Sequence, residues 1–309
     1  MSTVARLGHA TFKTADVSRM ADYYSEVLGL RVIDRTARRV IFGDRCGGEA
    51  LVLEQAAQAG CNEISFAVGA ADHLDILSAG LKAAGCAIER ARDVTPRAKD
   101  ARTFVDPKGT RVLIYADAPV QAPLDDAPQG IGALRLGHIA FASAKTEAVV
   151  DFYVGQLGFK VSDWVEDIFA FLRCGPDHHT VNFLANTHTR MHHIAYELKD
   201  WAHVLVACDV LGKRKIPIIW GPGRHRVGHN IFVYHRDPDD HVVELYAELD
   251  QMKSEALGYF EPRPWHDYAP QYPRVWSKEE GLPLWGLAPS DDFRRAGEAH
   301  LEARATQRA

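Results

Sequence analysis

The strongest constraint on the fold is that this chain repeats itself. Arg6-Leu-Gly-His-Ala-Thr-Phe12 returns as Arg135-Leu-Gly-His-Ile-Ala-Phe141 about 130 residues later, a period that fits a duplicated domain and is too long for a solenoid repeat. The echo continues through Met20–Gly29 (MADYYSEVLG) and Val149–Gly158 (VVDFYVGQLG), each an amphipathic helix stopped by glycine. Phe104–Tyr115 likewise answers Val233–Tyr246. Whatever one half folds into, the other half must fold into as well.

Each half divides again into two units that read strand, helix and three strands, over about residues 5–55, 61–117, 134–186 and 191–248. The expected fold is α+β, with four βαβββ modules in two homologous domains and an extended C-terminal tail. The N-terminal domain is placed at 1–118, a linker carrying Pro119, Pro123 and Pro128 at 119–131, the C-terminal domain at 132–250 and the tail at 251–309. Within the tail, Pro262–Trp276 is too rich in proline for a helix or inner strand and too aromatic for a free linker. It should lie extended and bury Trp265, Tyr268, Tyr272 and Trp276, as a lid over a cavity, on a patch of the first domain or in a subunit contact. From Asp291 onward the chain reads as a polar helix or a frayed end.

A formal net charge of -5 with dispersed Lys and Arg gives no basic stripe, so nucleic acid is not an expected partner. No apolar run reaches about 18 residues and the first residues lack a signal-like apolar core, so no membrane partner is expected and the protein should be soluble and cytoplasmic. Five scattered cysteines form no CxxC spacing and are read as small core residues. A homo-oligomer of unspecified subunit count is expected.

The halves differ where chemistry would sit. Thirteen of the 15 histidines follow residue 130. Where the second half carries His138, His193 and Glu244, the first carries His9, Glu63 and Leu113, and a leucine cannot ligate a metal. Glu244 is a lone carboxylate among apolar strand residues, and burying it costs several kcal/mol unless something positive holds it. Side chains two apart on a strand share a face. Ile194, Tyr196 and Leu198 mark one face, leaving His193 on the other; Ile139 and Phe141 do the same for His138, and Val243 and Leu245 for Glu244. Two imidazoles and a carboxylate on one sheet face make the 2-His-1-carboxylate set that suits non-haem Fe(II). A single inward histidine is more often a hydrogen-bonded core residue, but three residues agreeing in face on three strands, with a lost counterpart in the duplicate, outweigh that. Glu197 and Glu248 are competing carboxylates, Glu248 being read as a solvated strand end. Alternation does not choose between His178 and His179. His225 follows a Gly-Pro-Gly turn, Tyr234 lies on the next strand, and His229, His235 and His241 read as structural or exposed.

The run GRHRVGHNIFVYHRDPDDHVVE from Gly223 to Glu244, together with the doubled βαβββ modules, resembles the type I extradiol ring-cleavage dioxygenases of the vicinal oxygen chelate (VOC) superfamily, the catechol 2,3-dioxygenase-like enzymes. The resemblance covers roughly residues 5–250, with one departure at Asp240, where the family has glycine or proline in the turn. It implies Fe(II), with Mn(II) as an alternative, held by His138, His193 and Glu244, and O2 as co-substrate. It also implies that His179 exchanges protons and that His225 and Tyr234 orient and deprotonate a catechol's hydroxyls. The product would be of the muconate-semialdehyde type, in aromatic hydrocarbon catabolism, and the N-terminal VOC domain would be a non-catalytic duplicate. Trp220 stands where the homoprotocatechuate branch has arginine, and Ala140 leaves an uncharged wall, so an apolar or bulky ring substituent is expected. The alternatives are another metal-dependent VOC lyase or isomerase, or a metal-free VOC binding protein.

Overall fold

The computed structural model describes residues 4–116, 129–264, 266 and 268–298, so most of the segment 119–131 and Trp265 lie outside the described residues. Four modules follow one another. The first is β1 (Val4–Thr14), α1 (Val17–Glu26), β2 (Arg31–Arg35), β3 (Arg39–Gly43) and β4 (Glu49–Gln55). The second is β5 (Gly60–Val68), α2 (Ala71–Ala83), β6 (Glu89–Arg92), β7 (Asp100–Val105) and β8 (Arg111–Ala116). The third is β9 (Arg135–Ser143), α3 (Thr146–Leu157), β10 (Lys160–Val165), β11 (Phe169–Arg173) and β12 (Val181–Ala185). The fourth is β13 (Arg190–Glu197), α4 (Trp201–Lys213), β14 (Trp220–Arg224), β15 (Ile231–Arg236) and β16 (Val242–Ala247), after which the tail adds β17 (Arg274–Trp276), β18 (Trp285–Gly286) and α5 (Asp291–Glu298). The fold is thus α+β, with two similar halves of two βαβββ modules each, as the repeat requires.

Local chemistry sets the element ends. Asp16 and Asp200 cap α1 and α4 by accepting from the backbone N–H of Arg19 and His203. Gly158 ends α3 in the left-handed region at φ 76°. Antiparallel pairs β1/β5 and β9/β13 join the two modules of each half edge to edge. The result is an eight-stranded sheet in the first half and a ten-stranded sheet in the second, where β17 and β18 extend the two edges. One face of each sheet packs on the helices, with Ile139, Phe141, Ile194, Tyr196, Val243 and Leu245 all in the main hydrophobic core. The opposite face is free to carry polar groups. Gly137, in the repeated Leu-Gly-His motif, is required by a close approach: a Cβ there would stand 1.8 Å from the Tyr246 hydroxyl.

The halves are buttoned together reciprocally. Tyr24 of α1 donates to Asp237 in the β15–β16 turn (2.9 Å), and Tyr153 of α3 donates to Asp106 in the corresponding β7–β8 turn (3.0 Å). Both carboxylates are buried, so these donors offset desolvation as well as fixing geometry. Asp240 sits at φ 71°, the position Gly109 fills at φ 92° in the other turn. This is the left-handed site where glycine is ordinary and Asp is tolerated.

Three expectations need correction. Of Tyr268, Tyr272 and Trp276 only Trp276 is buried; Tyr268 and Tyr272 are exposed, Tyr268 lying against the Arg274 guanidinium, 4.9 Å from ring centroid to Cζ. The cysteines are not all core residues: Cys46 is exposed, and Cys61, Cys86, Cys174 and Cys208 are partly buried side chains packed against the hydrophobic core. Glu248 is not a free solvated end, since Arg224 Nη2 holds it at 2.8 Å. No helix among the described residues is long and apolar enough to cross a membrane.

Candidate metal centre and its cavity

Three neighbouring strands bring His138, His193 and Glu244 together. In the register, Ala195 of β13 faces His138 of β9 on one side and Glu244 of β16 on the other, while His193 faces Ala140. The two alanines leave room for the larger side chains between them. His138 Nε2 lies 3.0 Å and His193 Nε2 3.2 Å from Glu244 Oε2, and all three residues are buried. His193 Nε2 has no hydrogen-bond partner. A buried, unpaired imidazole nitrogen beside a buried carboxylate costs energy unless a cation lies between them.

The electrostatics agree with that donor set. Burial holds His138 below its ordinary pKa, keeping it a neutral, ligand-ready imidazole. Burial alone would raise the Glu244 carboxyl, but the adjacent imidazoles of His138 and His193 outweigh it and hold it well below the usual carboxylate range. Asn230 Nδ2 donates to Glu244 Oε1 at 2.9 Å and so orients the carboxylate. Two nitrogens and one oxygen, buried and mutually close, fit a divalent transition metal with coordination positions left over.

Around this centre lies a cavity of about 240 Å³, larger than the roughly 150 Å³ that an engineered apolar cavity needs to hold benzene. His179 lines it, its ring centroid 4.3 Å from that of His138. Burial, then the neighbouring His138 and His178, push its pKa well below the ordinary value. His225 also lines it, with Nε2 3.1 Å from the Tyr234 hydroxyl. Burial lowers the pKa of His225 to about 4, and burial followed by the Glu244 charge raises that of Tyr234 well above its usual range. The walls are Val165, Phe169, Phe171, Trp220, Val227 and Phe293, the last from the tail. No Lys or Arg lines this cavity among the described residues. A larger cleft of about 320 Å³ lies between the halves beside Asp44 and Glu49, but its Arg135 and Asp177 already pair at 2.8 Å and the triad is elsewhere.

Sequence reasoning missed several contributors. His192 lines the cavity and meets His193 Nδ1 to Nδ1 at 2.7 Å, although strand alternation assigns it to the other face; a register shift between Met191 and His193 turns it round. His178 stands in the same relation to His179, at 3.0 Å. The doubled histidines were visible in sequence, but their mutual geometry was not. His229, Asp250 and His266 form a second buried cluster, with His229 Nδ1 2.7 Å and His266 Nε2 3.0 Å from the carboxylate. Here His266 Nδ1 accepts the backbone N–H of Arg263, so Nε2 carries the proton and donates to Asp250. That tautomer makes the cluster a latch between tail and sheet, not a ligand set. His235 and His241 are structural: His235 meets the Tyr23 hydroxyl, and His241 Nδ1 pairs with Asp237 at 2.9 Å.

A family model described as the Glyoxalase/Bleomycin resistance protein/Dioxygenase superfamily matches residues 6–114 and 135–245. Metapyrocatechase 2 of Cupriavidus necator is 31% identical over 118 residues, 38% of this chain and 37% of that protein. The manganese-dependent 2,3-dihydroxybiphenyl 1,2-dioxygenase of Geobacillus genomosp. 3 is 23% identical over 325 residues, 94% of this chain and 98% of that one. Among solved structures, the Mn(II)-bound glyoxalase from Novosphingobium aromaticivorans superposes with a TM-score of 0.83 at 26% identity, covering 95% of this chain and 94% of the other.

Proposed function

The chain belongs to the Glyoxalase/Bleomycin resistance protein/Dioxygenase superfamily, and on that premise we propose that it is an extradiol dioxygenase, adding both atoms of O2 to a catechol and opening the ring next to the diol. The observation that carries this reading is the convergence of His138, His193 and Glu244 on one cavity with His179, His225 and Tyr234. Relatives whose names declare catechol-type ring cleavage support it.

A divalent metal held by His138, His193 and Glu244, Fe(II) or Mn(II), would supply the Lewis acidity and the electron path between catechol and O2. The chain's own residues supply the rest. Tyr234 and His225, hydrogen-bonded to each other, meet the substrate hydroxyls, and His225 takes up a proton. The lowered pKa of His225 keeps its imidazole neutral and able to accept. His179, next to His138 across the cavity, is the group that holds and returns a proton during ring opening. The aromatic and aliphatic walls exclude water and receive the ring substituent. With no Lys or Arg among the described lining residues, an alkyl or aryl catechol is favoured over one bearing a carboxylate.

The test is oxygen uptake by protein loaded anaerobically with Fe(II) or Mn(II), given catechol and alkyl-, aryl- and carboxymethyl-substituted catechols. One O2 consumed per ring opened, fastest with the apolar substituents, is expected; binding of catechols without O2 uptake under either metal would overturn the reading. The Mn(II)-bound glyoxalase of similar fold motivates a second arm, a metal-dependent lyase or isomerase. That chemistry would leave His179, His225 and Tyr234 without a shared task.

A further inference from the structure

Asp163 is a buried carboxylate with no place in the chemistry so far, 2% exposed on β10. Each of its oxygens has a partner. Oδ2 lies 2.9 Å from His178 Nε2, and Oδ1 accepts the backbone N–H of Arg274 at 2.8 Å. His178 in turn presents Nδ1 to His179 Nδ1 at 3.0 Å. His178 is held on its other sides by its backbone N–H to Asp250 O (2.8 Å) and by the tail's Phe260 ring at 4.8 Å. We propose that Asp163 is a positioning residue which, through His178, fixes the tautomer in which His179 faces the cavity. This rests on the acid-base role given to His179 above.

The tautomers follow from donor counting. An ionised carboxylate has no proton to give, so His178 Nε2 must donate to Asp163. With His178 in the neutral state that the proposal assigns it, only a lone pair remains at Nδ1, and His179 must donate its Nδ1 proton to it. That leaves Nε2 of His179 unprotonated, on a ring that lines the cavity. His179 can then accept one proton at Nε2 and give the same proton back. While it holds that proton, its positive charge is hydrogen-bonded through His178 to Asp163.

The duplicated half provides an internal comparison. Leu28-Gly-Leu-Arg-Val-Ile-Asp34 matches Leu157-Gly-Phe-Lys-Val-Ser-Asp163, and both strands carry a register shift just before the aspartate, between Val32 and Asp34 and between Val161 and Asp163. A bulge of this kind re-aims the following side chain. In the first half Asp34 is exposed, and Gly48 and Glu49 stand where the second half has His178 and His179. In the second half β17 pairs alongside β10 with Asp163 opposite Arg274, burying the carboxylate. The same aspartate has become a buried partner where there is a histidine pair to hold.

The test combines activity with a direct view of the histidines. Asp163→Asn has one acceptor where two are needed; the backbone N–H of Arg274 can only donate and keeps the amide oxygen, so the amide N–H faces His178 Nε2, which must then accept, and the chain of tautomers is reversed. In the metal-loaded enzyme, kcat should fall roughly 100-fold, the lower end of an acid-base contribution, with metal content unchanged and KM within about twofold. In a His179→Ala background the same change should have no further effect, because Asp163 acts only through His179. Losses that multiply, or an unchanged kcat, would overturn the proposal. Nitrogen NMR of 15N-histidine-labelled Zn(II)-substituted wild-type protein should show His179 protonated at Nδ1 and bare at Nε2. The opposite tautomer overturns the proposal even if Asp163→Asn fails to fold. Correct tautomers in a protein that opens no catechol ring would overturn the enzymatic reading alone.

Discussion

His138 Nε2 and Glu244 Oε2 stand 3.0 Å apart across 106 residues of sequence, each buried and each on a different strand. The small Ala195 between them on β13 lets them approach. Such a pair is tolerated in a protein interior when it has a cation to share.

Glu244→Gln keeps the size of the side chain and removes its charge. Metal content after desalting should fall about tenfold or more, since loss of even an outer-shell partner costs 10–100-fold in affinity. Glu63→Gln, at the first-half carboxylate that stands where the second half has His193 and is paired with Arg111 at 2.8 Å, should leave it unchanged. Metal analysis of the two variants decides which half holds the ion.

Tyr234→Phe removes the hydroxyl that His225 meets at 3.1 Å. The expected loss in kcat/KM is about 10- to 100-fold, matching the ~1.5–3 kcal/mol of a hydrogen bond to a charged group. Metal content should be retained. Loss of metal instead would place Tyr234 in the binding of the ion rather than of the substrate.

Phe293 comes from the tail and lines the cavity beside Trp220, with ring centroids 4.8 Å apart. Phe293→Ala should raise KM for an aryl-substituted catechol roughly tenfold, consistent with about 1.5–3 kcal/mol for burying a phenyl ring, and should affect unsubstituted catechol far less. Equal effects on both would mean that the tail only packs.

Burial alone would raise the Asp250 carboxyl, but hydrogen bonds from His229 and His266 outweigh it and hold its pKa below the ordinary value. A depressed folded pKa means stability that is present above the unfolded value of about 3.9 and lost as pH falls through the folded one. The wild-type melting temperature should therefore drop more steeply below about pH 4 than that of Asp250→Asn. Parallel curves across the acid range would contradict the latch.

Tyr24→Phe and Tyr153→Phe each take a donor from a buried aspartate in the other half. Each should cost about 1.5–3 kcal/mol in denaturant unfolding. The two sites share no partner, so the double variant should show the sum to within about 0.5 kcal/mol.

The sequence by itself determined the modules, because duplication and strand alternation are local patterns: the repeat of Arg-Leu-Gly-His fixed the doubling, and Leu113 opposite Glu244 separated the two halves chemically. Alternation also put His138, His193 and Glu244 on one face, since a regular strand leaves each side chain only two directions. What alternation cannot read is a break in itself. The bulges before Asp163 and beside His192 turn side chains that a regular strand would send elsewhere, so the cavity role of His192 and the Asp163–His178–His179 chain were decided only when the strands paired. The tail was decided the same way. Its composition indicated an extended segment, but which ring is buried depended on what lay opposite: Trp276 packs with Phe171 and Val227, while Tyr268 lies on Arg274 at the surface. Partners so distant in sequence leave no periodicity to read, and their energy exists only once the fold has brought them together.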